Sequence, residues 1–373
     1  MKILICRKDL RDTASGAPQT VLHQVAFYHK KGHTVYTMSE TVNREMVEKC
    51  GGIPIKSFRW PISGFFRRKF YQFQVNLWIK KNKPDLVVGH GDILNQDVLY
   101  IHNCVHLAHE LIEKRPLPAD HEVGKIHSEI FEKGSFKLFI TNSDLMKNDL
   151  VKRFNLDPSN VMTIYPEINV QKFFVPNPEA FKKEMRAEFG FKDDEFVVSL
   201  ITSGNFKKRN LGLLIDAFNE IAAEFPKAKL FIGGGKIDQV FYDQVAKSPF
   251  KDRVTFAPQV IDVKRYFYLV DVFVLPAFIE EYGRTVLDAM ICGQPVITTS
   301  TVGAGEILEN ESREMIMPEV KKEELVLRLR KLLSSPELCK KIGQLNKATA
   351  LKYQTEDQDL ALENALKKFK LLS

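Results

Sequence analysis

Only five cysteines occur in 373 residues, at Cys6, Cys50, Cys104, Cys292 and Cys339, and none forms a CxxC pair. An odd, widely spaced set argues against a disulfide framework and against a zinc ribbon, so reduced, mostly buried thiols are expected. Long apolar runs are also missing: stretches such as Phe196–Ile201 and Val272–Ala277 fall far short of the ~20 residues that span a bilayer. Met1 leads straight into a strand-like Lys2–Cys6 rather than a signal peptide, which makes a cytoplasmic location the expectation. Glycine and proline are scattered, and no repeat of roughly 20–50 residues recurs, which excludes collagen, low-complexity chains, solenoids and propellers. The length argues for two domains with full cores.

What the chain has in excess is positive charge, and that excess is one-sided. Residues 1–175 carry 25 Lys and Arg against 18 Asp and Glu, whereas residues 176–373 carry 29 of each, so the whole net charge of +7 lies in the first half. That half is expected to meet something acidic: nucleic acid, an anionic membrane or a phosphorylated substrate.

Both halves alternate short β-branched runs with helical patterns, the mark of βαβ units and parallel sheets. Strands are expected at Lys2–Cys6, Thr34–Met38, Asp85–Gly89, Asp97–Ile101, Lys137–Thr141 and Val161–Ile164. A second set is expected at Phe196–Thr202, Lys229–Ile232, Val254–Phe256, Val272–Leu275, Pro295–Thr298 and Glu314–Met317. Two doubly wound α/β domains follow, over 1–175 and 176–355, with the boundary at Val175–Glu179, where Pro176 and Pro178 break any helix. The last segment, Glu356–Leu372, carries Leu360, Leu362, Leu366 and Phe369 and is expected to form a closing helix, within 356–373, that joins the first domain.

Chemistry concentrates where strands hand over to helices. After Leu275 the chain reads Pro276-Ala-Phe-Ile-Glu280-Glu-Tyr282-Gly283-Arg-Thr-Val-Leu-Asp288. A helix starting near Gly283 turns the backbone N–H groups of Gly283, Arg284 and Thr285 out of the sheet top, an end that attracts phosphate. Glu280 just outside such a site suits sugar hydroxyls; equally, Glu280 and Glu281 fit ordinary N-terminal helix charges and Asp288 a surface residue. The run Lys207–Lys208–Arg209 precedes a stripe of Leu214, Ala217, Phe218, Ile221, Ala222 and Phe225 and so also sits at a strand-to-helix turn. His90 and His102 end strands of the first domain. In Phe58-Arg59-Trp60-Pro-Ile-Ser-Gly-Phe65-Phe66-Arg67-Arg68-Lys69 cations alternate with aromatics, a composition for an anionic interface, for nucleic-acid stacking, or for a packed helix with a charged outer face.

The Glu280 segment resembles the E-x7-E region of the family 4 retaining glycosyltransferases, with Asp288 in place of the second Glu. That resemblance implies the GT-B fold, two facing Rossmann-like domains with a central cleft and a C-terminal closing helix. It implies a donor-sugar contact for Glu280 and a ribose contact for Asp288. Ser203-Gly-Asn-Phe-Lys-Lys-Arg-Asn-Leu-Gly-Leu-Leu-Ile215-Asp-Ala217 is similar to the family's diphosphate site, with Arg209 on the family's Lys and Lys208 beside it. Leu230-Phe-Ile-Gly-Gly234-Gly-Lys236 resembles the glycine turn of the nucleotide cleft, and Thr13-Ala-Ser-Gly16-Ala-Pro-Gln-Thr20 the glycine loop facing the donor phosphates. Val21 stands where a close subgroup has Asp, so no base is carried over there. His102 resembles the family His that hydrogen-bonds the donor sugar or phosphate.

Asp85-Leu-Val-Val-Gly, Phe131-Glu-Lys-Gly, Pro276-Ala and Pro295-Val-Ile-Thr-Thr299 are most similar to the lipopolysaccharide core glucosyltransferase subgroup. The resemblance implies transfer of a hexose, with retention, from a nucleotide diphosphate sugar, UDP-glucose-like, to a glycolipid or oligosaccharide in cell-envelope glycan synthesis. No DxD follows a strand of the nucleotide cleft, and no metal or cofactor is expected; Lys208, Arg209 and the helix end at Gly283 would offset the leaving diphosphate. With a lipid-anchored acceptor, the stripe Arg59, Trp60, Phe65, Phe66, Arg67, Arg68 and Lys69 is expected to place the protein peripherally on the inner membrane face, with no nucleic-acid partner. A sugar-nucleotide epimerase of the same fold and a non-catalytic nucleic-acid binder are the alternatives.

Overall fold

The computed structural model describes residues 1–11, 16–61 and 64–372. The chain divides into two compact units, 1–166 with 358–373, and 167–357. The division falls earlier than Val175–Glu179. Asn177 caps a helix over Pro178–Glu188 by accepting from the Ala180 N–H at 3.1 Å, so Pro178 opens this helix of the second unit at a position whose N–H would be unbonded anyway.

Fifteen strands are present among the described residues. In the first unit they are β1 (Lys2–Cys6), β2 (Asp9–Leu10), β3 (Thr34–Ser39), β4 (Thr41–Val42), β5 (Gly52–Lys56), β6 (Leu86–Gly89), β7 (Val98–Tyr100), β8 (Leu138–Thr141) and β9 (Val161–Thr163). The second unit holds β10 (Phe196–Thr202), β11 (Ala228–Gly234), β12 (Val254–Ala257), β13 (Val272–Leu275), β14 (Val296–Thr299) and β15 (Ile316–Met317). Seven form one sheet in the order β5-β3-β1-β6-β7-β8-β9, six form another in the order β12-β11-β10-β13-β14-β15, and β2 pairs with β4. Every pairing is parallel. Such sheets need helices on both faces, which is why β6, β8, β13 and β14 are buried at every residue.

Each order reverses once, between β1 and β6 and between β10 and β13. Doubly wound sheets open a crevice beyond the carboxyl ends of the strands at such a reversal. Three strands of the first unit lie outside the expected set: the two-residue β2 and β4, which pair only with each other, and β5, which reads Gly-Ile-Pro-Ile-Lys and tolerates Pro54 because it is an edge with a single neighbour.

The closing helix runs Thr355–Lys368. Leu362, Ala365, Leu366, Leu371 and Leu372 join Val21, Val25 and Tyr28 in the core of the first unit, while Leu360 faces solvent. His23 meets Asp359 at 2.7 Å along the same seam. All five cysteines are free thiols, and Cys6, Cys104 and Cys292 are buried.

Candidate functional site

In the second unit three loops beyond the sheet's carboxyl edge are tied together by backbone. The loop after β10 turns through Gly204, Asn205 and Asn210, all at positive φ, around the fully buried Phe206. Asn205 holds that turn by accepting from the Lys208 N–H at 3.1 Å. Its neighbour after β13 donates from Phe278 N to Lys208 O at 3.1 Å and from Glu280 N to Thr301 O at 3.1 Å. The loop after β14 answers, with Gly303 N donating to Glu280 O at 3.0 Å and Ala304 N to Tyr282 O at 2.7 Å. Three loops held by backbone bonds keep their side chains aimed without reorganisation, which is what electrostatic preorganisation requires.

Two glycines are dictated by close approach. A Cβ on Gly234 would sit 1.6 Å from the Thr202 carbonyl oxygen, and one on Gly235 2.1 Å from that of Ser203. The glycine run therefore has a backbone reason, the packing of the end of β11 onto the loop after β10. Gly283 has φ +91° and caps the helix over Arg284–Ile291.

The side chains these loops carry form a four-charge cluster. Lys208 Nζ lies 2.8 Å from Glu281 Oε2 and 3.8 Å from Glu280 Oε1, and the Arg209 guanidinium lies 3.2 Å from Glu280 Oε1. Arg209 also donates to the Gly204 carbonyl. None of these four side chains is more than 19% exposed, so Lys208 and Arg209 are not part of a solvated turn, whereas Lys207 is exposed. Burial pushes the Glu280 carboxyl above its ordinary value, with Arg209 and Lys208 pulling the other way. For Lys208 burial works against the ammonium, yet Glu281 and Glu280 outweigh it and hold its pKa above the usual lysine value. Two cations matched by two carboxylates leave a cluster that an anion can enter by competing for Lys208 and Arg209.

Around the cluster, Tyr282 is buried and Thr285 is half-buried in the first helical turn. Arg284 turns to Glu167, donating to its carboxylate at 3.1 Å, so its side chain is engaged within the unit. Half-buried Asp288 faces Lys172 and Arg284; burial pushes its carboxyl up to about 6 against the pull of both cations. Sequence reasoning passed over Glu281 as a partner of Lys208, Lys172 as a charge acting on Asp288, and the backbone of Thr301 and Gly303, because spacing within one loop carries no information about a neighbouring loop.

In the first unit Gly16 opens the helix Gly16–Lys30, and Thr13 to Ser15 of the expected glycine loop lie outside the described residues. His90 follows β6 and His102 follows β7. His90 Nδ1 stands 2.8 Å from His102 Nε2, and its Nε2 stands 3.0 Å from Gln24 Oε1 on that helix. Burial holds His90 well below the ordinary imidazole value, with His102 and Arg7 adding to the effect.

The aromatic and basic stripe divides by residue type. Arg67 is paired with buried Glu40, Arg68 donates to the Gly91 carbonyl at 2.8 Å beside Asp92, and Lys69 reaches Glu129. These three cations are matched by carboxylates rather than presented as a free positive surface. Arg59, Trp60, Phe65 and Phe66 remain exposed, joined by Phe58, Phe73 and Leu77.

Among the described residues no helix is long and apolar enough to cross a membrane, and no group of three or more His, Cys, Asp and Glu stands ready to hold a metal ion.

Comparison with known proteins agrees with this architecture. Residues 14–172 match the model described as Glycosyltransferase Family 4, and residues 181–349 match that of Glycosyl transferases group 1. N-acetyl-alpha-D-glucosaminyl L-malate synthase of Bacillus anthracis is 25% identical over 241 residues, covering 58% of this chain and 60% of the relative. The chain spans about half to three fifths of the length of the first curated relatives it matches. The crystal structure of WaaG, a glycosyltransferase involved in lipopolysaccharide biosynthesis, superposes with a TM-score of 0.78 at 18% identity, covering 98% of this chain and 99% of that one. Anabaena Alr3699/HepE in complex with UDP-glucose superposes with a TM-score of 0.77 at 15% identity, covering 99% and 100%. With two family models laid end to end over most of its length and two Rossmann-like parallel sheets of the GT-B kind, the chain belongs to the group 1, family 4 glycosyltransferases.

Proposed function

We propose that the protein transfers a hexose, with retention, from a nucleotide diphosphate sugar of the UDP-glucose kind to a hydroxyl of a glycolipid or oligosaccharide in cell-envelope glycan synthesis, of the lipopolysaccharide core type. The observation that carries this reading is the buried cluster of Lys208, Arg209, Glu280 and Glu281 at the reversal of the six-stranded sheet. Crystals of a structural neighbour hold UDP-glucose, which supports the choice of donor.

In this reading Lys208 and Arg209 exchange Glu281 and Glu280 for the diphosphate, Arg209 with its two-pronged guanidinium. The first-turn N–H groups after Gly283 add the positive end of the helix. Glu280, released from Arg209, accepts from hydroxyls of the donor sugar, and Asp288 from the ribose. Gly16 and Gly234 let backbone approach the phosphates, and His102 meets the donor sugar or its phosphate. The bond between the anomeric carbon and the phosphate oxygen breaks as the acceptor oxygen bonds the same face. The acceptor proton passes to the departing phosphate oxygen, so no separate base is needed. Charge neutralisation by Lys208 and Arg209 needs no metal, so added EDTA leaves turnover unchanged.

The membrane part of the proposal rests on aromatics rather than on the cation triplet. Phe66, Phe73 and Leu77 are 75%, 55% and 52% exposed and, with Phe70, follow i, i+4, i+7, i+11 spacing on the helix Phe65–Asn82. Arg59 and Trp60 flank that stripe, and it docks the protein at the surface where a lipid-anchored acceptor lies.

The test is a screen of UDP-, GDP- and ADP-sugars by shift in melting temperature, followed by turnover of the stabilising donor. A donor at about a hundred times its Kd adds roughly 2.7 kcal/mol to stability, which a thermal shift resolves. Product that forms only when an acceptor glycan is added supports transfer; free nucleotide released at an equal rate without acceptor points to the epimerase. If no nucleotide sugar shifts the melting temperature, the reading of the cluster fails.

A further inference from the structure

We propose that Gln24 and His90 are positioning residues that set the tautomer of His102, fixing its Nε2 as the N–H and its Nδ1 as a hydrogen-bond acceptor; this rests on the reading of His102 as a donor-sugar contact. The three side chains come from three elements, Gln24 from the helix Gly16–Lys30, His90 from the end of β6 and His102 from the end of β7. They form a continuous chain, 3.0 Å from Gln24 Oε1 to His90 Nε2 and 2.8 Å from His90 Nδ1 to His102 Nε2. The two imidazole planes lie within 4° of each other, the coplanar arrangement that aims an N–H of one ring at the in-plane lone pair of the other. Tyr100 stacks on His90 at 5.0 Å with an interplanar angle of 9° and prevents the ring from tilting.

The direction of the chain follows from what each group can do. His90 is buried, and desolvation keeps its ring neutral, so it carries one proton shared between two partners. Gln24 is placed with its carbonyl oxygen towards His90, and a carbonyl only accepts, so His90 donates through Nε2. His90 Nδ1 is then a lone pair, and the group facing it must donate. His102 therefore carries a proton on Nε2, and its Nδ1 accepts. An acceptor nitrogen takes a hydrogen bond from a sugar hydroxyl and opposes a phosphate oxygen. Of the two contacts the family resemblance leaves open for His102, the hydroxyl fits.

Burying an amide and an imidazole is unfavourable compared with a leucine of similar size unless their polarity is used; here the Gln24 carbonyl and both His90 nitrogens are engaged along the line to His102, while the Gln24 amide nitrogen is buried with no hydrogen-bond partner. The arrangement has the logic by which the hydrogen bond on one imidazole nitrogen determines the state of the other.

The experiment uses the full chain labelled with 15N-histidine at pH 7.5. Long-range proton–nitrogen spectra separate N–H from lone-pair nitrogens, and a His102→Asn sample assigns the signal. The wild type is expected to show His102 protonated on Nε2. His90→Leu removes the acceptor and is expected to mix the two His102 tautomers and lower kcat with UDP-glucose by roughly five- to tenfold, the loss of about one hydrogen bond, with little change in KM. His90→Asn, whose side-chain oxygen can stand where Nδ1 stood, is expected to restore both the Nε2–H signal and most of kcat. Gln24→Met gives the same mixing by freeing His90 itself, and serves if His90→Leu fails to fold.

A wild-type His102 protonated on Nδ1, or a His102 signal indifferent to all three substitutions, overturns the proposal. The spectra need no turnover. A shifted tautomer in a protein that transfers no sugar would leave the relay standing and refute the transferase reading, whereas an active enzyme with an unmoved tautomer would do the reverse.

Discussion

Asp288→Asn separates a buried acid from a surface one without any assay of activity. The Asp288 carboxyl is half-buried within the fields of Lys172 and Arg284, and desolvation raises its pKa from 3.8 to about 6 in the folded chain. A raised folded-state pKa means that the fold favours the neutral acid. The associated stability is fully present below about pH 4 and is lost as pH climbs through about 6. At about 1.4 kcal/mol per unit, the whole shift corresponds to about 3 kcal/mol. Asparagine keeps the shape and never ionises, so the stability of Asp288→Asn relative to wild type should rise between pH 4 and pH 6.5 and then level off.

Urea denaturation at half-unit pH intervals measures that difference directly, because the midpoint moves while the slope stays constant. The attraction of Lys172 and Arg284 is already contained in the net shift, so it needs no separate correction. A difference that stays flat from pH 4 to pH 7.5 would mean that Asp288 is solvated like an ordinary carboxylate, and the desolvation argument would be wrong. Nucleotide supplies an independent check: if Asp288 contacts the ribose, Asn should weaken UDP binding while it strengthens the apo fold.

Lys208→Ala with Arg209→Ala should remove several kcal/mol of transition-state stabilisation and also lower the melting temperature, since Glu280 is then left buried and unpaired; adding Glu280→Gln should restore the melting temperature but not turnover. Gly234→Ala should destabilise the second unit by more than about 2 kcal/mol, because its Cβ would overlap the Thr202 oxygen, and soluble expression with a chemical melt would show it. On the acid side, buried His90 and His127, the latter pushed down to about 3 by burial, stay neutral in the fold while the unfolded chain takes up protons. Stability of the first unit should therefore fall with a slope approaching two protons as pH drops below about 6.5, and a slope near zero in calorimetric scans would contradict that burial. Phe66→Ser with Phe73→Ser should abolish sedimentation with anionic vesicles while activity on a soluble truncated acceptor persists; unchanged sedimentation would remove the aromatic face from the docking surface.

The fold was legible because parallel strands buried on both faces read as short continuous apolar runs, and because each helical stripe, such as Leu214 to Ala222, returns at a fixed period. Where the reading slipped, the same two signals were weak. β5 contains glycine and proline and survives only as an edge, so its local preference argues against a strand that tertiary pairing imposes. Pro178, locally a helix breaker, is here a helix start. Proline is equally at home at the first turn of a helix, and only the capping bond from Asn177 tells the two apart.

Charge was the hardest quantity to read, and for one physical reason in both units. A count of lysines and arginines cannot say which of them face carboxylates from another segment. The stripe at Arg67 to Lys69 looks like a positive surface in one dimension, yet its partners Glu40, Asp92 and Glu129 lie 27, 24 and 60 residues away along the chain. Lys208 and Arg209 are paired in the same way, but with a different consequence. Their carboxylates sit on a loop that also supplies a helix N-terminus at a sheet reversal, so an entering anion meets donors on more than one side. Arg67 pairs with the fully buried side chain of Glu40, and displacing it would strand that carboxylate. Pairing alone therefore does not mark a binding site. In the proposed reading, what distinguishes the Lys208 cluster is a helix N-terminus at the sheet reversal, whose N–H groups would stabilise an anion that replaces the carboxylates.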